Sequence, residues 1–420
     1  MKQQFFNISE AVVEADKKAI EATKNRFAEI DEITEYNQLK MLHAFINNNV
    51  SASYFGGSNG YGYDDRGREI IDRVMAEALG AEAAILRHNF VSGTHAITVA
   101  LFGVLRPGDT MLSVTGRPYD TLLGVIGLNG ESSGSLAEFG INYDEVPLLE
   151  NGRVDYEGIE HKLTSGNKYK IVYIQRSCGY SLRPSLTVEE IEKIAKLAKK
   201  LAPETDVVVD NCYGEFVETS EPCEVGADLI VGSLIKNVGG GIAPTGGYIA
   251  GRSDLVEKCS YRLTVPGAGN EIGATLGHSR ELYMGIFNAP HVTGEAVKTA
   301  VYAACLLSQF GYDVSPKYDE KRADIIQKLT LGAPEKLVGF CRGIQKGLPV
   351  DAYLRPDPSP MPGYDCDVIM AAGGFTLGAT SELSADAPMR PPYAAWMQGA
   401  LNFHSGRMGV MLAVDTMIKQ

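Results

Sequence analysis

The chain has 420 residues, of which 45% are hydrophobic, and its 39 Lys and Arg against 52 Asp and Glu give a formal net charge of −13. This hydrophobic content is enough for a sizeable core in two or three domains and excludes an intrinsically disordered chain. The negative charge, which no basic run offsets, disfavours nucleic acid as a partner because polyphosphate binds to clustered Lys and Arg.

The cysteines, histidines and apolar runs bear on the compartment and on metal binding. Seven cysteines with no CxxC pair predict neither a disulfide framework nor a structural zinc site. Seven histidines without metal-ligand spacing predict no other metal site. No apolar run approaches the ~20 residues of a membrane span, and the N-terminal apolar run is too short for a signal peptide. We therefore expect a cytoplasmic protein with no metal and no membrane contact.

The first 50 residues are predicted to form a helical arm. Asn7 followed by Glu10 resembles a capping box, and apolar residues then recur at helical spacing as far as Ile33. A second helix is predicted from Leu39 to Ile46, because apolar residues recur there at helical spacing, and the three asparagines that follow mark its end. The arm could pack on its own domain or on a partner subunit, and both alternatives stay open.

Residues 51–290 are predicted to form a large α/β domain. Apolar strand-like runs alternate there with helical patterns, which indicates a mostly parallel sheet covered by helices. The predicted strands are AAILR, TMLSV, YKIVYIQ, DVVVD, ADLIVGS and GGYIAG. Residues 291–420 are predicted to form a smaller α+β domain with helices over 293–309 and 319–346 and a final strand in GVMLAVDTM.

Two polar residues follow predicted strands in the large domain. The run DVVVD ends at Asp210, and the run ADLIVGS is followed by Lys236 and a group of glycines. Ligands of open α/β sheets bind at the carboxyl ends of the strands. For pyridoxal 5′-phosphate this pair has a specific meaning, because a lysine forms a Schiff base with the aldehyde while an aspartate keeps the pyridine nitrogen protonated. An aspartate at a strand end can also simply cap the next loop.

Two further features lie upstream of Asp210. Ser92, Gly93 and Thr94 stand between a predicted strand and a predicted helix, where free amides and the helix dipole favour a phosphate. An ordinary helix cap would have the same sequence. Tyr119 follows the next predicted strand, so its ring could stack on a planar cofactor or pack in the core.

The order of these features resembles the large domain of fold-type I pyridoxal-phosphate enzymes. The motifs VSGTHAITVALFGVLRPGDTML, VTGRPYDTLLG, VVVDNCYGEF and GSLIKNVGGG are similar to those of the Cys/Met-metabolism group, which includes cystathionine γ-synthase, cystathionine lyases and methionine γ-lyase. The segments GYGYDDRGR and SADAPMRPPY resemble its bacterial branch of methionine γ-lyase-like or aluminium-resistance proteins. The resemblance to the group covers about residues 50–260, and the resemblance to the branch covers nearly the whole chain.

This resemblance implies a role for each matching residue. Lys236 is expected to be the catalytic Schiff-base lysine, Asp210 the partner of the pyridine nitrogen, and Tyr119 a ring that stacks on the cofactor and assists proton transfer. Phosphate contacts are implied for the small-residue turn and the strand end before the lysine: Ser92, Gly93, Thr94 and Ser233.

A neighbouring subunit is also implied. In the family a Tyr and an Arg of that subunit reach the phosphate, and Tyr63 with Arg66 are the matches here, although the family spacing is Tyr-x-Arg. We therefore expect at least a homodimer, or a homotetramer of two such dimers. The sequence departs from the family again at Ile235, where Thr is usual, and in segment 174–181, where an Asn is expected.

The expected activity is cleavage of a carbon–sulfur bond in a sulfur amino acid by β- or γ-elimination. The resemblance also implies an arginine near the C-terminus whose guanidinium binds the substrate carboxylate. Arg407, which precedes the predicted last strand, is slightly favoured over Arg390 for this role. The alternatives are a γ-replacement transferase similar to cystathionine γ-synthase and a non-catalytic protein that binds pyridoxal phosphate.

Overall fold

The computed structural model describes residues 4–58, 65–130, 133–361, 364–376 and 378–419. The chain divides into two compact units, Asn37–Ala289 and the combination of Met1–Tyr36 with Pro290–Gln420. The predicted domain bounds, 1–50, 51–290 and 291–420, stay predictions. The residues of the predicted arm are shared between the two units, because the division also falls after Tyr36.

The unit Asn37–Ala289 is built on a seven-stranded sheet. Its strands are β1 (Ala83–Arg87), β2 (Thr110–Ser113), β3 (Asn142–Glu145), β4 (Ile171–Gln175), β5 (Asp206–Asp210), β6 (Leu229–Ser233) and β7 (Gly247–Gly251). They pair in the order β1-β7-β6-β5-β4-β2-β3. Neighbours are parallel except where β7 pairs with β1 and β6. This confirms the predicted α/β class and the six predicted strands; β3 was not predicted.

The central strands are buried on both faces. Every residue of β4, β5 and β6 is buried. Along β5 the side chains alternate between two cores, with Val207 and Val209 in one and Val208 in the other. A parallel strand covered on both faces needs apolar residues at every position, which explains why these strands are continuous Val and Ile runs.

Helices cover this sheet and connect its strands. They are α2 (Arg66–Ala78), α3 (Gly93–Val104), α4 (Asp120–Ile126), α5 (Tyr156–Thr164), α6 (Val188–Leu201) and α7 (Ser253–Leu263). Single 3₁₀ turns lie at Ala52–Phe55, Pro222–Val225, Asn237–Gly239 and Gly269–Glu271. Helix α6 begins with a capping box, in which Thr187 and Glu190 each bind the backbone amide of the other.

The other unit contains a five-stranded antiparallel sheet. Its strands are β8 (Asp313–Ser315), β9 (Gln327–Thr330), β10 (Val368–Ala372), β11 (Ser384–Pro388) and β12 (Ala394–Gln398). They pair in the order β10-β11-β12-β9-β8. The helices α9 (Pro334–Gln345) and α10 (Phe403–Ile418) pack in the same core. Mixed strands and helices agree with the predicted α+β character of this region.

Two predictions in this unit are wrong. The run GVMLAVDTM lies in α10, not in a strand, because Asn402 caps a helix there by accepting a hydrogen bond from Ser405 N at 3.0 Å. Helix α10 packs so closely on α9 that a Cβ at Gly343 would lie 2.5 Å from Ala413 Cα. The predicted helix 319–346 is wrong in its first part, where β9 lies.

Two long helices run through both units. The helix α1 (Glu10–Asn47) is continuous, so the prediction of two separate N-terminal helices is wrong, although the predicted end at the asparagines is correct. The helix α8 (Ser279–Ser308) has Pro290 in its interior. Near the ends of the chain, Ser9 N donates to Asp415 Oδ1 at 2.9 Å. No helix in the described ranges is long and apolar enough to cross a membrane.

Candidate active site

The N-terminus of α3 lies against the end of β6. Ser92 caps the helix, with its Oγ accepting from His95 N at 3.0 Å, and leaves the first amides of the helix without an intrahelical partner. A Cβ at Gly93 would lie 3.1 Å from Ser233 Cβ, so a side chain here would crowd Ser233. Ser233 is buried, and its Oγ has no hydrogen-bond partner among the described residues. The arrangement offers amides and a hydroxyl to an anion.

Asp210 is a buried carboxyl at the end of β5. Only 5% of the residue is exposed, and Cys212 N donates to Oδ1 at 3.1 Å. Burial raises the pKa of Asp210, and the charge of Lys236 opposes that rise. A cationic ring nitrogen placed against this carboxyl would favour its ionised form for the same electrostatic reason.

Lys236 follows β6 and points at an aromatic ring. The side chain is half-buried, and Nζ lies 4.0 Å from the centroid of Tyr213. Burial alone lowers the pKa of Lys236, but the neighbouring Cys212, Tyr213 and Asp210 together raise it well above its ordinary value. The amine therefore lies among groups that favour its protonated form.

Tyr119 connects the α3 terminus with the end of β4. Its hydroxyl lies 2.8 Å from Thr94 Oγ1, and its backbone N donates to Gln175 Oε1 at 2.9 Å. Burial, with a smaller effect from the charge of Asp210, raises the pKa of the Tyr119 hydroxyl. The hydroxyl therefore keeps its proton at neutral pH.

These contacts bring most of the predicted site residues together. Four elements meet at one edge of the sheet: the carboxyl ends of β5 and β6, the turn after β2 and the N-terminus of α3. A ligand site in an open α/β fold is expected at this edge. The residues concerned are Ser92, Gly93, Thr94, Tyr119, Asp210, Ser233 and Lys236.

The two residues predicted to reach a neighbouring subunit stay predictions. Tyr63 lies outside the described residues, and Arg66 is the exposed first residue of α2. The next arginine, Arg68, is buried; it donates from Nη1 to Gly273 O at 3.0 Å and lines a cavity of about 240 Å³ with Arg87 and Tyr283.

The two candidate carboxylate arginines belong to the other unit and already contact acids. Arg407 lies in α10 and binds Asp16 through two hydrogen bonds, Nε to Oδ1 at 2.6 Å and Nη2 to Oδ2 at 2.8 Å. Arg390 donates from Nη1 to Asp365 Oδ1 at 2.8 Å. The prediction that Arg407 precedes the last strand is wrong because this residue is helical, while the substrate role of either arginine stays a prediction.

Comparison with known proteins identifies the family. The profile of the family described as Methionine gamma-lyase matches residues 12–418. The chain belongs to the methionine gamma-lyase family. The predicted resemblance is therefore confirmed, and so are the fold-type I architecture and the assignment as a carbon–sulfur lyase.

Similar proteins cover almost the whole chain. The protein YnbB of Bacillus subtilis is 47% identical over 393 residues, 93% of each chain. A structure from Clostridium acetobutylicum, provisionally described as a cystathionine beta-lyase involved in aluminum resistance, has a TM-score of 0.95 and 48% identity and covers 99% of this chain and 97% of that chain. A carbon-sulfur lyase involved in aluminum resistance from Clostridium novyi has a TM-score of 0.94 and 48% identity, with 98% and 97% covered.

Sequence reasoning missed three residues of this methionine gamma-lyase family member. Tyr213 and Cys212 lie in the motif VVVDNCYGEF, yet no role was predicted for either. Gln175 ends β4 and holds the backbone of Tyr119. A polar residue at the end of an apolar strand was the signal for Asp210, and the same signal was present at Gln175. No metal cluster of three or more His, Cys, Asp or Glu occurs within the described ranges.

Proposed function

We propose that the chain is a pyridoxal 5′-phosphate-dependent carbon–sulfur lyase that acts on a sulfur amino acid by β- or γ-elimination. The observation that carries this proposal is the convergence of Lys236 and Asp210 beside the N-terminus of α3. A lysine, a buried carboxyl and an anion site at neighbouring strand ends form a set that few other ligands require.

The residues fit this cofactor in two respects. Ser233 Oγ, buried and without a partner among the described residues, lies beside Gly93, where the first amides of α3 are free for a phosphate. Asp210 is a buried carboxyl whose charged form needs a cation, which a protonated pyridine nitrogen provides. When bound, pyridoxal phosphate supplies an aldehyde for amines and a ring that withdraws electrons from the substrate Cα.

The chain's own residues then supply proton transfer. Lys236 Nζ, once its amine is free and neutral, removes the Cα proton of the amino acid. Tyr119 holds a proton on its hydroxyl at neutral pH and donates it to the sulfur that leaves. Thr94, 2.8 Å from that hydroxyl, fixes its direction.

The substrate class follows from the family and from similar proteins. The family described as Methionine gamma-lyase and the similar Clostridium acetobutylicum structure, provisionally described as a cystathionine beta-lyase, support a substrate such as methionine, cystathionine or a cysteine derivative. The γ-replacement transferase remains the alternative, because it starts from the same loss of the Cα proton. The non-catalytic role in cofactor binding is disfavoured, because the chain belongs to the methionine gamma-lyase family.

The test starts from the spectrum of the purified full-length protein. We expect a visible absorbance band that is lost on borohydride reduction, with a pyridoxyl group on the peptide that contains Lys236. Lys236→Ala should lose both the band and all turnover, whereas Lys196→Ala on the exposed face of α6 should keep them. A colourless protein that takes up no added pyridoxal phosphate would contradict the proposal.

Product analysis separates the activities. Incubation with sulfur amino acids should release a thiol and a 2-oxo acid. A γ-replacement transferase would instead require a second thiol and form a new thioether, and a non-catalytic protein would release neither product.

We also propose a cytoplasmic homodimer or homotetramer. The family assignment of Tyr63 and Arg66 to a neighbour's phosphate supports this, and so does an apolar face on α1. Leu39, Leu42 and Ile46 are 56%, 40% and 67% exposed at helical spacing. Sedimentation of Leu39→Glu with Ile46→Glu should show a smaller species than wild type, with Lys24→Glu as the control. A fully active wild-type monomer would contradict the proposal.

A further inference from the structure

The turn that follows β5 has an unusual backbone. Tyr213 and Phe216 have φ angles of 70° and 61°, in the left-handed region that non-glycine residues seldom adopt. Bulky residues persist in this region only when their surroundings hold them there, and such residues cluster at functional sites.

Buried polar contacts hold this turn. Asn237 donates from Nδ2 to Tyr213 O at 2.9 Å and to Glu215 O at 3.0 Å. Phe216 N donates to Glu221 Oε1 at 2.7 Å. The fully buried Arg176 fills the space beside Gly214, where a Cβ would lie 2.4 Å from its Nε. The backbone of the turn is therefore fixed from several directions.

The fixed turn presents the ring of Tyr213 to Lys236. Nζ lies 4.0 Å from the ring centroid, well inside the distance at which an ammonium is attracted to an aromatic face. Asn237 is the next residue after Lys236, so the segment that carries the amine also holds the turn that carries the ring. An aromatic face attracts the ammonium but not the neutral amine, because the attraction depends on the positive charge.

We propose that the ring face of Tyr213 binds the Lys236 ammonium by a cation–π contact. Tyr213 is therefore a positioning residue for proton transfer. The inference rests on the proposed function, in which Nζ removes the substrate Cα proton. In that step the Cα–H bond breaks, its electron pair stays on carbon, and the Nζ lone pair forms the new N–H bond. The charge created on Nζ then lies against the ring.

The other titratable groups near Lys236 are largely neutral. Burial raises the pKa of Cys212 well above its usual range and raises that of Tyr119, so both keep their protons. Burial raises the pKa of Glu215 to about 8. Asp210 is the remaining acid; its charge faces the ring nitrogen in the proposed loaded enzyme and favours the Lys236 ammonium in the cofactor-free protein. Because Asp210 is unchanged in the Tyr213 variants, a difference between these variants measures the contribution of the ring.

The test compares Tyr213→Phe, which keeps the ring, with Tyr213→Leu, which removes it. In full-length protein freed of cofactor, the acetylation rate of Lys236 is measured against pH by mass spectrometry, with the exposed Lys18 as internal reference. We expect Tyr213→Leu to react about tenfold faster than wild type at pH 9, because losing the cation–π contact favours the neutral amine. Tyr213→Phe should stay within twofold of wild type.

Kinetics of the loaded enzyme give a second readout. Tyr213→Leu should lower kcat about tenfold with KM nearly unchanged, and Tyr213→Phe should restore most of it. If Tyr213→Leu does not fold, Tyr213→Met, which is apolar and lacks a ring, replaces it with the same expected result.

Two outcomes would overturn the inference. Equal labelling of Lys236 in all variants would mean that the ring does not stabilise the ammonium, and a Phe variant that behaves like Leu would assign the effect to the hydroxyl. Failure of the proposed function is seen separately, as the absence of a pyridoxyl group on Lys236 of the wild type after borohydride reduction.

Discussion

The hydroxyl of Tyr119 lies 2.8 Å from Oγ1 of Thr94, and this contact joins the turn after β2 to the first turn of α3. Thr94 Oγ1 is also 3.2 Å from Thr121 Oγ1, so three hydroxyls form one connected group. A change at the phosphate side of the site is therefore transmitted directly to the group proposed to donate a proton.

Tyr119→Phe tests this proton donor. We expect kcat to fall by about 10²-fold, since general acid catalysis contributes on this order, while the aromatic ring at this position is kept. Steady-state kinetics and the affinity for pyridoxal phosphate should be measured together, with Tyr261→Phe on the exposed face of α7 as the control. An unchanged kcat would assign Tyr119 a stacking role alone.

Ser233→Ala tests the anion site. The buried Oγ has no partner among the described residues, so we expect its removal to weaken pyridoxal phosphate binding about tenfold without lowering stability. Equilibrium dialysis and a thermal melt measure the two effects, and Ser253→Ala at the start of α7 is the control. Loss of stability with unchanged affinity would show that Ser233 serves the fold instead.

Glu215 should make stability depend on pH. Burial raises its pKa from 4.5 to about 8, so between these values the folded protein keeps a proton that the unfolded chain has released. The free energy of unfolding therefore falls as pH rises, by roughly 3 kcal/mol between pH 5 and pH 8 from this group.

Glu215→Gln removes the carboxyl that titrates but keeps an acceptor for the Tyr248 hydroxyl, which lies 2.9 Å from Oε1 of Glu215. Denaturant unfolding at pH 5, 6.5 and 8 should show that wild type loses stability relative to the variant. Glu189→Gln on exposed α6 should follow wild type. Parallel curves for wild type and Glu215→Gln would mean that Glu215 is ionised throughout.

Arg407→Ala separates a structural role from substrate binding. Its two hydrogen bonds go to Asp16, which is 3% exposed, so we expect a stability loss of about 3 kcal/mol from the acid left behind. The double variant Asp16→Asn with Arg407→Ala should lose less than the sum of the two single variants. We expect KM to change less than twofold; a tenfold rise would support the predicted carboxylate contact.

The central sheet could be predicted from the sequence because its strands are buried on both faces. Runs such as DVVVD are apolar at each inward position, and Gly or Asp marks their ends. The same reasoning failed for α10, because its contact with α9 uses small residues such as Ala413 against Gly343, and Leu and Val lie beside Ala413 in the sequence. A short apolar run without amphipathic spacing fits a strand and a buried helix equally well.

The site shows the same limit. Asp210 and Lys236 could be found because strand ends of an α/β sheet have a known relation to ligands. The role proposed for Tyr213 depends on a left-handed backbone, which the type of residue does not predict. The pairing of Arg407 with Asp16 joins residues 391 positions apart, and neither local pattern nor spacing indicates it.

The long helices α1 and α8 have a consequence for protein engineering. A fragment limited to Asn37–Ala289 would start and stop within these helices and leave their cut ends without capping groups. Ser9 and Asp415 are hydrogen-bonded, so the two segments of the smaller unit lie side by side there. Joining them by a short linker and opening the chain in a surface loop would encode the smaller unit as one uninterrupted stretch, a rearrangement that proteins with adjacent ends commonly tolerate.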